Sequence, residues 1–235
     1  MRSPLITLGA VLLTASALAV AGCGTGIGPS DTQNTSYTIT EPVTSLKVEN
    51  PVGNTRIEGT DASTVSVTEQ LSYTGDPPQT SHSVTGSLLT LSYRCPSGAA
   101  AIGQSCSVSY VVKVPRQTAV EIDGQVGSAT LSGLAGRLTL TSSTGNIDAT
   151  GLTSDAVTAR ASAGGITLGF TAPPATVDAQ TQVGSVMVRL PASAAYAVDA
   201  GTQVGSAEVT VQQDAGSGHR ITVDSQVGSV TVTNG

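Results

Sequence analysis

Four octapeptides carry one phrase: GQVGSATL (124–131), TQVGSVMV (181–188), TQVGSAEV (202–209) and SQVGSVTV (225–232). Two looser copies, STGNIDA (143–149) and AGGITLG (163–169), fill the gap after the first. Aligned on Gly127, Gly145, Gly164, Gly184, Gly205 and Gly228, the units are spaced by 18, 19, 20, 21 and 23 residues. Repetition at a nearly constant period in so short a chain marks a repeat architecture.

Each unit has the same inner grammar. An alternating run precedes the glycine, as in Val120/Ile122 and Val177/Ala179, and a second follows it, as in Ile147/Ala149 and Val186/Val188. Period-two alternation buries one face of a strand and wets the other. The glycine between the runs permits a backbone conformation that a Cβ hinders. Two short strands per unit, with no helical period between them, predict an all-β fold: a parallel β-solenoid of about six coils. Its coils stack at the strand spacing of about 4.8 Å. The alternative is an antiparallel β-meander or sandwich, whose hairpins share the grammar without stacking equivalent residues. Stacking also accounts for Gln125, Gln182, Gln203 and Gln226, two residues before their glycines, as an amide ladder running from coil to coil. A row of sugar-binding amides is the functional alternative, but no aromatic side chains flank it. Ser128, Ser185, Ser206 and Ser229, which follow the glycines, suit the same ladder reading.

Upstream of Thr118 the pattern loosens. Segments 36–40, 45–49, 64–73, 87–93 and 107–114 alternate like strands, but only PVGNTRIEG (51–59) repeats the phrase. The expected organisation is a signal peptide (1–22), a flexible tether (23–36), an irregular N-terminal β region with a disulfide (37–117) and the glycine-punctuated repeats (118–235). One Phe, no Trp and five Tyr make any core aliphatic, which suits β-branched residues on pleated strands.

The N-terminus carries an address. Arg2 opens a basic n-region, an apolar stretch runs from Pro4 to Gly22, and Val20-Ala21-Gly22-Cys23 closes it with small residues. A Cys there resembles the lipobox of bacterial lipoproteins, which implies a diacylglyceryl (palmitate-type) group on Cys23 and cleavage between Gly22 and Cys23. Neither an ordinary signal peptide nor an uncleaved membrane anchor accounts for that Cys as well. With about 0.8 kcal/mol per buried methylene, two or three acyl chains hold a protein on a membrane almost permanently. The expected location is therefore the cell membrane, lipid-anchored, on the extracytoplasmic side. With Cys23 so used, Cys95 and Cys106 remain as an even pair in an oxidising compartment, and a disulfide is expected. Closing so short a loop contributes on the order of 2–3 kcal/mol.

The stretches NPVGNTRIEG, VVKVPRQTAVEIDGQVGSATLSGL and SSTGNIDATGL, with the later QVGS units, resemble a family of β-strand-repeat domains of unknown function that carries a provisional adhesin label. The resemblance covers roughly Ser36 to Gly235 and implies a cell-envelope β-solenoid with no catalytic residues to transfer. Eight Arg against two Lys, with abundant Ala and Gly, suit a high-GC actinobacterial lipoprotein.

Composition excludes several classes. A formal charge of −6, one unit lower once Arg2 leaves with the signal, repels phosphate backbones, so nucleic acid is not an expected partner. The Gly24–Gly28 run has no preceding strand and no following Lys, which makes it a linker and not a phosphate loop. His82 and His219 are the only histidines. His219 beside Asp214 and Ser217 is a sequence neighbourhood without an oxyanion hole, not a triad. Asp123, Asp178, Asp199 and Asp224 precede the turns, but the calcium-binding β-roll phrase is missing and a solvated acidic stripe is the expectation. With Lys47 and Lys113 the only lysines, a polysaccharide lyase is disfavoured. No catalytic residue, metal or cofactor is expected.

What remains is a non-enzymatic surface adhesin or envelope binding module, engaging an envelope or extracellular protein or glycan. The alternative is an envelope-stress accessory that modulates a membrane sensor. Because the chain stops within the second strand of its last repeat, that end is expected to be covered by a partner, another copy or the N-terminal strands. Labelled palmitate supplied to expressing cells should enter the full chain and be lost from the Cys23→Ala variant, which should leave the membrane fraction. Retention of label by the variant would overturn the anchor.

Overall fold

The computed structural model describes residues 30–96 and 105–235. Gly22 and Cys23, with the rest of the expected signal peptide and the first part of the expected tether, lie outside the described residues. The alternating residues form nineteen strands and, among the described residues, no helix. The N-terminal third contains β1 (Asp31–Ile39), β2 (Ser45–Val52), β3 (Thr55–Thr60), β4 (Val65–Tyr73), β5 (Gln79–Thr85), β6 (Leu88–Arg94) and β7 (Cys106–Pro115). The six repeat units follow as strand pairs: β8 (Ala119–Val126) with β9 (Ala129–Ser132), β10 (Leu138–Thr144) with β11 (Ile147–Leu152), and β12 (Ala156–Ala163) with β13 (Ile166–Phe170). The last three are β14 (Thr176–Val183) with β15 (Val186–Leu190), β16 (Ala197–Val204) with β17 (Ala207–Val209), and β18 (Arg220–Val227) with β19 (Val230–Asn234).

The strand before each glycine joins a nine-stranded sheet and the strand after it joins a ten-stranded sheet. Within the repeats every pairing is parallel, Leu140 between Ile122 and Ala159, Ile166 between Ile147 and Val186, and the register shifts only between Ala149 and Leu152 of β11. This is the solenoid and not the meander. Antiparallel pairs occur only at the N-terminal end, where β4 lies between β1 and β7, and β5 covers β6. The inward residues of the two sheets form one aliphatic core, with Leu138, Leu140, Ala159 and Val223 from one and Ile147, Leu168, Val188 and Val232 from the other fully buried. Burying a side chain of this size is worth about 1.5–3 kcal/mol.

The stack departs from chain order at both ends. The nine-stranded sheet runs β16-β18-β14-β12-β10-β8-β2-β6-β5. The coil β2–β3 therefore lies between β6–β7 and β8–β9, and the last repeat, β18–β19, lies between β14–β15 and β16–β17. The C-terminal end, expected to be covered by a partner, another copy or the N-terminal strands, is instead covered by the preceding repeat of the same chain. Asn234 and its strand are paired on one side with β15 and on the other with β17. The edge coil is instead the preceding repeat, whose inward residues Val198, Ala200 and Val209 are only half-buried and whose Ala207 is exposed. Its connection from Leu190 skips one coil position and is fixed by Tyr196, which is fully buried and donates its hydroxyl to the Pro191 carbonyl (2.7 Å).

Two boundaries also shift. The tether expected to reach Ser36 ends by Asp31, where β1 begins. Residues 31–36 are polar and exposed on both faces, so no alternation announces the strand; backbone pairing to β4 holds it. The region 37–117 is also less irregular than expected, because β2–β3 and β6–β7 are parallel coils of the stack, interrupted by β4 and β5.

The glycines set the coil spacing. In Gly184 the backbone φ is +149°, and an added Cβ would lie 2.1 Å from the Gly164 carbonyl oxygen of the neighbouring coil. The Gly184 N–H meanwhile donates to the Val227 carbonyl (2.9 Å) on its other side. A side chain there must break the stack. Gly184→Ala should therefore lower unfolding free energy by about 3 kcal/mol or more. Gly201→Ala, whose Cβ meets only an Asp224 oxygen at 3.4 Å, should change it by about 0.5 kcal/mol or less. Urea titration of the two variants checks the pair, and equal losses would remove the steric argument.

Candidate functional site

The corner before each glycine sorts its residues into columns. Three residues before the glycine, a small polar side chain points inward and closes the turn. Thr181 donates to the Gly164 carbonyl, Ser225 to that of Gly184 and Thr202 to that of Gly228, each at 2.9 Å. In the PVGN coil Asn50 takes this position and donates to the Gly53 carbonyl (3.1 Å). These are the glycine oxygens against which a Cβ would collide, so the column caps the closest backbone approach. The sequence reading overlooked it, because Asn, Ser and Thr share no single letter; their common offset from the glycine was the available signal.

One residue after the glycine the expected ladder is present. Backbone N–H groups of Asn54, Ser128, Asn146 and Gly165 donate to Ser109 Oγ, Asn54 Oδ1, Ser128 Oγ and Asn146 Oδ1 of the adjacent coils. Ser229 N–H does the same to Ser185 Oγ (3.3 Å). All six predicted turn glycines, Gly127, Gly145, Gly164, Gly184, Gly205 and Gly228, fall into one column with φ between +136° and +151°, and Gly53 extends it.

The glutamine ladder is not formed. Strand pairing skips the position two before the glycine in every coil: Thr181 pairs with Ser225 and Val183 with Val227, but Gln182 and Gln226 have no register partner between them. The kink exposes Gln182, Gln203 and Gln226, and also the residue after each, so that Val183, Val227 and Val204 are 47 % to 64 % exposed. The amides make no hydrogen bond within the described residues. In-register stacking needs a regular ladder, and the corner removes it where these side chains leave the backbone.

The exposed amides line a groove of about 730 Å³ across the outer face of the nine-stranded sheet, spanning β10, β12, β14, β18 and β16. Arg160 and Asp224 face it from opposite sides of Gln180 in the register, and Gly201 leaves a notch beside Asp224. Asp178, adjacent in the same sheet, holds both the Arg160 guanidinium and the Gln180 amide, the latter at 2.9 Å. Asp178 and Asp199 do not touch in register, because Thr222 of β18 lies between them. Burial, then the nearby Asp199 and Asp178, push the Asp224 carboxyl up from its ordinary range. Among the described residues no three carboxylates, imidazoles or thiols gather as a metal site.

The other predicted residues have structural employment. Cys95 and Cys106 are disulfide-bonded and tie the end of β6 to the start of β7. His219 Nδ1 lies 2.7 Å from the Pro174 carbonyl, Ser217 Oγ donates to the Ala195 carbonyl, and Asp214 accepts from the Gly216 N–H. The three therefore serve a turn and do not converge as a triad. His82 stacks on Tyr37 at the N-terminal end, with ring centroids 4.4 Å apart, and Tyr37 donates to the buried Glu69 (2.7 Å).

Comparison with known proteins follows this geometry. The model of the family described as Toastrack DUF4097 matches residues 46–233. A provisionally named cell-adhesion protein from Clostridium sporogenes superposes with a TM-score of 0.52 at 16% identity, covering 87% of this chain and 100% of its own. A provisionally named adhesin from Bacteroides fragilis gives a TM-score of 0.52 at 16% identity, covering 87% of this chain and 97% of its own. At that identity the likeness shows the fold. No curated protein matches.

The raised Asp224 carboxyl yields a pH test. Its folded-state pKa exceeds the unfolded one, so ionisation penalises the fold; the cost is absent below the unfolded pKa and complete above the folded one. Asp224→Asn should stabilise the chain at about pH 7 and leave it unchanged at about pH 2.5. For so exposed a group the gain should be about 0.5 kcal/mol or less. Thermal melts at both pH values check the sign, and a loss at neutral pH would reverse it.

Proposed function

Because the chain belongs to the Toastrack DUF4097 family, we propose that it is a non-enzymatic adhesive binding module, held on the outer side of the membrane by lipid on Cys23. The observation that carries this reading is the position of the groove along the rod. Asp31 opens β1, eight positions after Cys23, and β1 is the edge strand of the ten-stranded sheet. At about 4.8 Å per strand that sheet is roughly 43 Å from edge to edge. The groove spans the half of the stack remote from β1, with β16 its outermost strand. An anchor at one end and an open polar groove toward the other suit a spacer that presents a binding face away from its membrane.

The chemistry of the face suits binding more than turnover. The groove holds one guanidinium, one carboxylate and neutral amides and hydroxyls, with Arg160 already engaged by Asp178. General acid–base work needs paired groups of separated pKa within reach of one bond. The names of the two solved structures described above, a provisional cell-adhesion protein and a provisional adhesin, agree with this reading.

Liposomes carrying the lipidated chain should sediment with isolated cell envelopes several-fold more than bare liposomes. They should release no reducing ends from envelope polysaccharide. Retention equal to that of bare liposomes would sink the adhesive reading, and sustained release of reducing ends would sink the non-enzymatic one.

A further inference from the structure

We infer that the groove on the nine-stranded sheet is a binding site for an extended, β-linked glycan lying along the solenoid axis. The inference rests on the adhesive reading above and names its ligand class. It begins from amides that make no hydrogen bond among the described residues. Gln182, Gln226 and Gln203 occupy equivalent positions on the adjacent strands β14, β18 and β16, all exposed and all in the groove. An amide presents both a donor pair and an acceptor, which matches sugar hydroxyls that do both. Beside them Arg160 supplies fixed donors, oriented by Asp178, and Asp224 supplies an acceptor.

Spacing selects the polymer. The amides recur on three successive coils, at about 4.8 Å, within a groove that crosses five coils and is roughly 19 Å long. An extended β-linked glycan advances by close to that spacing per sugar and turns each sugar over relative to the last, so equivalent edges recur at every second coil, in step with the stack. An extended peptide rises about 3.3 Å per residue and returns to the same face at about twice that, out of step with the coils. A peptide strand also docks by pairing with free backbone groups at a sheet edge. The groove instead crosses a sheet face, where β12, β14 and β18 are already paired on both sides and only the outermost strand, β16, has a free edge. The chain's negative charge disfavours a polyphosphate.

Gly201 completes the argument. It faces Asp224 in register, and it opens the groove where every other strand of that column carries a side chain. Its ideal Cβ would meet only an Asp224 oxygen at ordinary contact distance, so folding does not demand a glycine there. The notch is room for a ligand beside a carboxylate.

The test is calorimetric titration of the full lipidated chain, in a sugar-free zwitterionic detergent, with cellohexaose, chitohexaose and maltohexaose. At least one of the two extended β-linked hexamers should bind, with the curled α-linked maltohexaose at least about tenfold weaker. The triple variant Gln182→Ala, Gln203→Ala, Gln226→Ala should lose about tenfold or more in affinity. Gly201→Leu should abolish binding, with both variants melting like the parent. Equal binding of the α-linked hexamer, no binding of any hexamer, or variants that bind like the parent would each overturn the assignment. Envelope retention persisting without hexamer binding overturns the glycan and spares the adhesive reading. Hexamer binding without envelope retention does the reverse.

Discussion

The structure depends on one close approach: the carbonyl oxygen of each corner glycine lies where the Cβ of the next coil's residue would have to be. From Gly53 to Gly205 the virtual contacts are about 2 Å, shorter than any real Cβ tolerates. The same glycines, except Gly205 on the edge coil, donate their N–H groups to the coil on the other side at 2.9 Å. Backbone hydrogen bonding therefore continues around the corner and is not confined to the flat strands. Two sheets of short strands behave as one coil because the turn between them is itself a rung of the ladder. Short strands would otherwise be weakly specified in register, since a one-residue slip inverts every side chain.

That constraint explains why the stack can depart from chain order. Coils carry nearly interchangeable corners, so the last repeat is accommodated between two earlier ones as readily as at the end. The consequence is thermodynamic. A C-terminal strand with one neighbour frays, whereas β19 is paired with both β15 and β17. The cost falls on β16–β17, which keeps an unpaired edge and half-exposed inward residues. At the other end the same device places β2–β3 inside β6–β7, and β4 and β5 then cover the outermost coil with antiparallel strands, with β1 outside β4. One end finishes in antiparallel strands and the other in a parallel coil.

Much of this was legible from the residues. The glycine period, the alternation on either side of it and the parallel stacking follow from QVGS and its looser copies, because burial of alternate aliphatics is a one-dimensional signal. The Cys95–Cys106 bond followed from parity. The coil order was not legible, since Val177 can stack equally well on Ile221 or Val198 and nothing local distinguishes them. Strand β1 was hidden because residues 31–36 face solvent on both sides. The glutamines were misjudged for a related reason: identical letters at identical offsets imply a ladder only if the backbone is regular there, and the kink before the glycine is a three-dimensional fact.

The corner thus divides its polar residues by what the backbone leaves them to do. The inward hydroxyls of Thr181, Ser225 and Thr202 are consumed by glycine carbonyls. The residues after the glycine are consumed by N–H groups of neighbouring coils. Between them stands a column whose recurrence no internal hydrogen bond explains, set where the strand bends outward. A repeated glutamine that stabilises nothing across coils would be free to vary with any other exposed polar residue, yet it returns in four of the six units at one offset. The valine after it is exposed in the same units, so the corner turns outward two recurring residues that no neighbouring coil uses, and the glutamines of three of those units line the groove proposed above as a ligand site.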